Sequence, residues 1–539
     1  MNRVLEIYFG PKEIELAFRR AQAWSSSQVR DQVGLRSFGS QLQENSKALS
    51  EQLLSGKYEP NRGFKFYMPK SNDTFRTQTQ LVAEDAIVFQ AIANELAKRS
   101  YSRLNAYASQ VFGSMLSDTA PLGVSLLNEK NPDFSFFADW KPLFKNFKNA
   151  VIKAIKSEDS IYKLETDITG FFDSIPHYNL FQVLRNEFEI EEELIVILSD
   201  CLNMWSGTRD GKTHGVGIPQ GPAPSFLLAN MFLYVLDQNL ISEGVAYYRY
   251  MDDIKIYGYE RKKMQGYLHY IDKYTKSRGL SINSKKTKIS KLDPEKEDET
   301  IKSLRKMSFP SINTELILAL YRKSKTENKE SADLPNLLSE IEEIRNSLNS
   351  MFESSNDQGL VLKDEIIDID LIHVSVKFSE TLKAIKVIDA KYAAPDDLIP
   401  FWIAGIKNFY WRSSGLLCVF QNYPYNNEVK KHLVELYNYF DAYEWVRFYI
   451  ITTLSFNFNF SDRELKDCFV HYLKNDPEAL PRIALFRLLF VHIKDEKLKE
   501  QIKALLEEDK SDHVKRVVKD FISNRNYIHL DDLTIDAFY

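Results

Sequence analysis

Residues 248–258 read YRYMDDIKIYG and place two adjacent aspartates, Asp252 and Asp253, between two short apolar runs. Both runs are rich in aromatic and β-branched residues, which favour strands. A carboxylate inside a strand-like segment is costly unless a partner compensates its charge. The pattern therefore indicates a strand region whose carboxylates have a task, and a third acidic partner has to be sought elsewhere in the chain.

A second strand-like run, within KLETDITGFFDSIPH (163–177), ends in Asp167. If the two strands lie side by side, Asp167 and Asp252 meet at one sheet edge. Two close negative charges repel unless cations lie between them, and Mg²⁺ prefers oxygen ligands. Two such ions, about 3.5–4 Å apart, can hold the attacking and leaving oxygens of a phosphoryl transfer. For Asp167 taken alone, a surface aspartate at a strand end remains the better interpretation.

The composition is that of an ordinary globular protein. The chain has 539 residues, 44% hydrophobic and 27% charged, with a net charge of -5 and three cysteines. This length predicts two or more domains, and the negative charge restricts any nucleic-acid path to a local basic channel. The cysteines lack CxxC spacing, so neither a zinc site nor a disulfide framework is indicated. No signal peptide or apolar membrane span is evident, so we expect a cytoplasmic protein without membrane contact.

The pattern changes near residue 290. Helical stretches alternate with short strand-like runs before it, and KLDPEKEDET (291–300) is typical of a boundary. We therefore predict a first domain over 1–295 and a second over 296–539. The second domain is helical in pattern, with amphipathic stretches such as LPRIALFRLLFVHIK (480–494) and HVKRVVKDFIS (513–523). A HEAT-like α-solenoid and a plain helical bundle are both open.

Several segments together resemble the motifs of reverse transcriptases, in the right order. The matching segments are FYMPKSNDTFRTQ (66–78, the fingers hairpin), ETDITGFFDSIPH (165–177, motif A), GIPQGPAPSFLLANMFLYVLD (217–237, motif B), YMDD (250–253, motif C) and GLSINSKKTKI (279–289, motif D). The resemblance implies an α+β fold, a right-hand polymerase with palm and fingers, followed by an all-α, HEAT-like helical-repeat domain in place of or after the thumb.

The resemblance also implies a metal site. Asp167 and Asp252 would bind two Mg²⁺ ions, with Mn²⁺ as a possible substitute, and the backbone carbonyl of Ile168 would be an additional ligand. Asp253 is the lesser partner in the family and takes a supporting role. All three aspartates are therefore catalytic candidates.

The nucleotide-binding candidates have competing structural interpretations. They are Lys70, Arg76, Phe172, Gln220, Gly221 and Lys286. The two hairpin cations could neutralise a triphosphate or be solvated loop residues. Phe172 corresponds to the steric gate against a 2′-hydroxyl, and a core phenylalanine is the alternative. The Gln-Gly pair fits a turn that allows close approach to the templating base pair.

Lys286 is a candidate proton donor to the leaving pyrophosphate, or a solvated lysine at a strand end. Tyr250 and Met251 are candidates for contacting the primer end, and strand packing is the competing explanation for both.

Among reverse transcriptases, the chain resembles the bacterial abortive-infection and related defence-associated (unknown-group) enzymes. It lacks the NAxxH and VTG segments typical of retrons and an evident HNH endonuclease. The resemblance implies antiphage defence, DNA synthesis from dNTPs, priming by a protein hydroxyl without a conventional template, homo-oligomers and, in some relatives, a noncoding RNA partner. Two alternatives stay open: a templated RNA-directed DNA polymerase, retron-like or domesticated, and a non-enzymatic scaffold.

Overall fold

The computed structural model describes residues 3–24, 31–71, 73–207, 214–293, 352–355, 359–362, 399–418 and 427–523. The chain forms two compact units. The first comprises Met1–Lys65 and Gln78–Arg305, and the second comprises Phe66–Thr77 and Lys306–Tyr539. The predicted boundary after residue 295 lies outside the described residues. The hairpin residues 66–77, predicted as part of the first domain, group with the C-terminal residues instead.

The described strands are β1 (Phe64–Pro69), β2 (Phe75–Gln80), β3 (Tyr162–Thr166), β4 (Ala246–Tyr250), β5 (Asp253–Gly258), β6 (Lys288–Lys291), β7 (Phe352–Ser355) and β8 (Gly359–Leu362). In the first unit the described helices are α1 (Arg3–Phe9), α2 (Pro11–Ala23), α3 (Gln32–Ser40), α4 (Leu42–Leu54), α5 (Ala83–Asn105), α6 (Trp140–Ile155), α7 (Phe171–Ser174), α8 (His177–Phe188), α9 (Glu192–Trp205), α10 (Ala223–Ser242) and α11 (Arg261–Ser277), with a 3₁₀ turn at Val124–Asn128.

The first unit is built on an antiparallel sheet with the strand order β4-β5-β3-β6. Side chains alternate across it because strand residues point to opposite faces in turn. On one face Leu164, Ile254 and Ile256 are fully buried in the main core. On the other face Glu165 lies opposite Lys255, and the two form an ion pair of 2.7 Å. One face therefore builds the core and the other carries charge.

Helix α10 belongs to motif B and lies inside the main core. It follows the turn at Gly221, whose φ of 121° is a backbone conformation that favours glycine. Most of the helix is buried, including its polar residues Ser225, Asn230 and Asp237. A helix that is apolar on all sides is typical of a core position.

Helix α6 covers part of the charged face of the sheet. Its residues Phe147, Val151 and Ala154 form a small separate core with Phe112 and Tyr257. Tyr257 lies on β5, opposite Ala246 of β4. The sheet is therefore packed on both faces, by the main core on one and by α6 on the other.

The described helices of the second unit are α12 (Ile399–Asn408), α13 (Ser413–Cys418), α14 (Asn427–Tyr439), α15 (Glu444–Asn457), α16 (Asp462–Glu464), α17 (Val470–Asn475), α18 (Ala479–His492), α19 (Glu496–Glu508) and α20 (Asp512–Ser523), with a 3₁₀ turn at Tyr410–Arg412 and a π-helical turn at Leu465–Phe469. In its described ranges this unit is mostly helical, as predicted, but it is not all-α. The antiparallel pair β7–β8, in which Phe352 lies opposite Leu362, also lies within this unit.

The hairpin residues pack on these helices through aromatic and polar contacts. The ring of Phe66 stacks on that of Trp445 with centroids 5.5 Å apart. The hydroxyl of Tyr410 donates to the carbonyl of Lys70 at 3.1 Å, and Glu444 accepts a hydrogen bond from the amide of Tyr67 at 2.8 Å. These contacts explain why residues 66–77 group with the second unit. None of the helices in the described ranges is long and apolar enough to cross a bilayer.

Candidate active site

The strand register brings motifs A and C together. Thr166, the last residue of β3, lies opposite Ile254 of β5. Because the strands are antiparallel, Asp167 follows Thr166 to the position beside Asp253, and neighbouring strands lie about 4.8 Å apart. Strands β4 and β5 form a hairpin closed by the pair Tyr250–Asp253. Asp252 therefore lies in the turn of this hairpin, next to the end of β3.

The carboxylates repel one another. Burial, together with the charge of Asp167, raises the pKa of Asp252 to about 6. Burial also raises the pKa of Asp253, to which the charges of Glu165 and Asp167 add. Burial and neighbouring negative charge both disfavour the ionised carboxylates, and a cation beside them would offset this cost.

Motif D supplies a cation and hydrogen bonds to Asp167. The Lys286 Nζ lies 3.0 Å from Asp167 Oδ2. Asn283 donates its backbone amide to the Asp167 carbonyl at 2.7 Å, and its side-chain amide lies 3.4 Å from Oδ2. The hydroxyls of Thr166 and Thr287 are 2.8 Å apart. Three residues of motif D thus fix the end of β3, and the Lys286 side chain, which is 66% exposed, is paired with a site carboxylate.

The donor set fits divalent ions of the magnesium type, although the pocket is not preformed. No group of three or more Asp, Glu, His or Cys side chains in the described ranges is gathered closely enough to hold one ion. The Lys286 ammonium occupies the place of a cation at Asp167. An isolated antiparallel β-bridge joins Ile168 and Ile282 through two backbone hydrogen bonds, one to the Asp167 carbonyl and one from the Thr169 amide. The Ile168 carbonyl takes no part in this bridge. Asp167, Asp252, Asp253 and that carbonyl are all oxygen donors, as Mg²⁺ prefers.

The hairpin turn has an unusual backbone. Met251 has a φ of 56°, which is rare for a residue with a side chain and costs of order 1–3 kcal/mol. A neighbouring segment approaches it closely at Gly113. A Cβ placed on Gly113 would lie 2.6 Å from the Met251 amide nitrogen, which is far inside van der Waals contact. Only glycine therefore allows the 110–114 segment to support the turn.

We expect Gly113→Ala to displace the hairpin turn and to lower both thermal stability and any polymerase activity. The new methyl group meets backbone, which cannot move aside as a flexible side chain can. Gly266→Ala is the matched control, because a Cβ at that helical position meets nothing within 4 Å. The control should be neutral or stabilising by up to about 1 kcal/mol. Equal melting temperatures for the two variants would contradict the expectation.

A buried arginine also donates a hydrogen bond to this turn. Arg249 is fully buried, and its guanidinium donates to Asp237 Oδ1 at 2.7 Å, to Asn230 Oδ1 at 3.0 Å and to the Met251 carbonyl at 2.7 Å. Tyr247 also donates to Asp237, at 2.6 Å. The ion pair with Asp237 keeps the guanidinium charged and raises the pKa of Arg249. Helix α10 is thereby linked to the carboxylate-bearing turn.

Asn230 and Asp237 were not among the residues predicted to form the site, and neither was Arg249. A signal was present, since Asn230 interrupts an otherwise apolar run over 226–236 and Asp237 follows directly at its end. Buried polar groups in such runs need partners. The sequence did not indicate that these partners would be one another.

Two motif B candidates lie at the entrance of α10, and the motif A aromatic lies beside that helix. The carbonyl of Gln220 accepts a hydrogen bond from the Thr79 amide at 2.8 Å, and Gly221 is buried. Phe172 is 8% exposed, and its ring meets that of Phe226 edge-on at 5.3 Å. Phe172 is thus packed in the core, as its competing interpretation has it, and its role as a gate stays a prediction.

The remaining candidates divide between the units. Lys70 and Arg76 are exposed on the hairpin of the second unit. Tyr250 packs its ring against Phe144, with centroids 5.4 Å apart. Met251 is partly buried against the main core. Strand packing therefore accounts for the position of the last two, and a contact with a primer stays a prediction.

The match to a known family covers this region. Residues 121–327 match the reverse transcriptase (RNA-dependent DNA polymerase) family, a range that includes motifs A to D. The chain therefore contains a region similar to reverse transcriptases, and this region includes the three candidate catalytic aspartates.

One curated relative is an uncharacterized 91 kDa protein in the cob intron of Schizosaccharomyces pombe. It is 32% identical over 116 residues, which cover 21% of this chain and 13% of the relative. The chain thus matches only a small part of that protein's length.

Solved structures of telomerase are also similar. The Candida albicans enzyme in complex with a telomeric RNA fragment aligns with a TM-score of 0.30 and 11% identity, over 84% of this chain and 72% of that one. A truncated apo telomerase from Candida tropicalis aligns with a TM-score of 0.29 and 12% identity, over 42% of this chain and 50% of that one. At these TM-scores the likeness adds nothing to the assignment.

Proposed function

We propose that this chain is a DNA polymerase that joins deoxynucleotides by metal-dependent phosphoryl transfer. A hydroxyl oxygen attacks the α-phosphorus of a dNTP, the bond to the bridging oxygen breaks, and pyrophosphate leaves with its electron pair. The observation that carries the proposal is the strand register that places Asp167 beside the hairpin turn of Asp252 and Asp253. The reverse transcriptase match over the same residues supports it.

The chain's own groups have separate tasks in this reaction. Asp167 and Asp252 would hold the ions, with the Ile168 carbonyl as an additional ligand and Asp253 in support. Bound there, the ions would lower the pKa of the attacking hydroxyl and would stabilise the charge that develops on the leaving oxygen. Lys286, whose ammonium lies 3.0 Å from Asp167 Oδ2, would donate a proton to the leaving pyrophosphate.

The finer proposal concerns the biological role. The order of a reverse transcriptase region and a mostly helical second unit supports a bacterial antiphage defence enzyme, as does the resemblance in the motifs. In this role the priming hydroxyl belongs to a tyrosine, no conventional template is needed, and the active form is a homo-oligomer with or without a noncoding RNA. A templated RNA-directed DNA polymerase, retron-like or domesticated, is the alternative, and the RNA-dependent activity in the description of the matched family supports it.

An incorporation assay separates these possibilities. The full chain is incubated with radiolabelled dNTPs and Mg²⁺, with or without an RNA template annealed to a DNA primer, and EDTA serves as the control. Incorporation that requires the annealed duplex supports the templated polymerase. Incorporation without added nucleic acid, with DNA attached to a tyrosine in mass spectra of the digested protein, supports protein priming. No incorporation with either Mg²⁺ or Mn²⁺ under any of these conditions contradicts the polymerase proposal.

A further inference from the structure

Helix α6 has a charge composition that differs from the rest of the chain. Residues 140–156 read WKPLFKNFKNAVIKAIK and contain five lysines without a single acidic residue, whereas the whole chain has a net charge of -5. We call these lysines the lysine face: Lys141, Lys145, Lys148, Lys153 and Lys156. An ordinary solvated helix mixes charges of both signs, as α11 does with its Lys276–Asp272 pair of 2.7 Å.

The lysine face is exposed and without carboxylate partners. Four of its members are exposed, and Lys148 is partly buried with its ammonium 5.1 Å from the centre of the Phe144 ring. Within the described part of the chain, none of the five forms an ion pair. At the start of the helix, the side chain of Trp140 is 53% exposed. Unpaired lysines beside an exposed aromatic ring are typical of surfaces that bind nucleic acid.

The position of α6 relates this surface to the candidate active site. The ring of Tyr250 contacts Phe144 and also Phe147, the latter at a centroid distance of 5.6 Å. Tyr250 is paired with Asp253, and residues directly opposite each other on antiparallel strands point to the same face. Helix α6 therefore lies on the sheet face that carries Asp253, next to the carboxylate-bearing hairpin.

The spacing of the lysines suits a regular polyanion. Lys141, Lys145 and Lys148 follow the i, i+4, i+7 spacing, so they form one stripe along the helix. This stripe is about 10 Å long at 1.5 Å per residue. One strand of a duplex carries a phosphate about every 3.4 Å along its axis, so the stripe spans several phosphates.

We propose that the lysine face of α6 binds the sugar–phosphate backbone of the primer–template duplex, as a surface outside the polymerase motifs that holds the duplex over the catalytic face of the sheet. The inference rests on the proposed function for the identity of the duplex, but the binding itself requires no catalysis.

The test is a binding measurement in EDTA, where catalysis is absent. A fluorescent RNA–DNA primer–template duplex is titrated with the full-length Lys141→Ala/Lys145→Ala variant, and anisotropy is followed over a series of salt concentrations. The matched control is Lys262→Ala/Lys273→Ala, which removes the same charge from exposed positions of α11. Helix α11 packs through Met264 and Ile271 on the opposite, core-forming face of the sheet.

We expect the α6 double variant to bind the duplex at least about fivefold more weakly than the wild type. Its plot of log affinity against log salt should also be less steep, by about 1.8 in slope, or about 0.9 for each lost phosphate contact. The control should keep the wild-type slope, and Lys141→Arg/Lys145→Arg should bind as the wild type does. Equal losses in both Ala variants, or no duplex binding by the wild type, would overturn the inference.

The two proposals fail separately. If the wild type incorporates dNTPs on this duplex while both Ala variants bind it alike, only the role of α6 is wrong. If the wild type binds the duplex through the lysine face but incorporates nothing, the surface stands and the polymerase proposal falls. Melting temperatures of the variants, expected to match the wild type because alanine favours helices, exclude unfolding as the cause.

Discussion

Replacing Asp252 by asparagine should reduce dNTP incorporation by about 10³-fold or more. The amide keeps the size of the side chain but removes the charge that would hold the ions, and their electrostatic contribution is worth several kcal/mol of barrier. Incorporation by the full chain with Mg²⁺ measures the effect. Asp272→Asn is the matched control, because it changes a carboxylate on α11 that pairs only with Lys276 among the described contacts.

A stability measurement distinguishes this loss from unfolding. The folded pKa of Asp252 is about 6, above its ordinary value of 3.8. An acid with a raised folded pKa costs stability above that pKa, because the folded state then carries an unfavourable charge that the unfolded state tolerates. At pH 7 without metal, Asp252→Asn should therefore melt at or above the wild-type temperature, and the difference should shrink as the pH falls from 6 towards 4. Wild-type incorporation by this variant would instead favour the non-enzymatic scaffold.

Replacing Arg249 by methionine should cause the largest loss of stability, about 3–5 kcal/mol, because it leaves the Asp237 carboxylate buried without its cation. Both side chains are almost completely inaccessible in the folded chain. Chemical denaturation measures the free energy of unfolding. Arg261→Met, at an exposed position of α11, is the control and should change it by less than about 0.5 kcal/mol.

The double variant Arg249→Met/Asp237→Leu separates stability from function. Removing both charges together avoids the unpaired carboxylate, so the double variant should be more stable than the single one. Its incorporation rate should stay low, because the Met251 carbonyl still lacks its donor and the carboxylate-bearing turn is no longer held. Duplex affinity should be retained. A single variant within about 1 kcal/mol of the wild type, or a double variant with full activity, would show that Arg249 does not position the turn.

Much of the first unit was predictable because its signals are local. The apolar alternation before Asp167 and around Asp253 predicted β3 and β5, and the two strands do pair. The long apolar run after Gly221 predicted a helix, and α10 is one. Motif D was placed near the site by resemblance, and Lys286 reaches Asp167.

Other features depend on residues that are distant in the chain. The hairpin at 66–77 was predicted to belong to the fingers, yet Phe66 stacks on Trp445. The second domain was predicted to be all-α, yet β7 and β8 pair within it. Short strands of four residues carry too little periodicity to be recognised among helical patterns.

The sequence by itself determined which side chains carry the chemistry. The carboxylates, the strand residues that flank them and the order of the motifs can all be recognised from short stretches of sequence. Only the tertiary structure decided what surrounds them: the Arg249–Asp237 pair beneath the turn, the Gly113 backbone against Met251, and α6 beside Tyr250. Those arrangements follow from packing and desolvation between segments that folding brings together. Such contacts produce no periodic pattern in the amino-acid sequence.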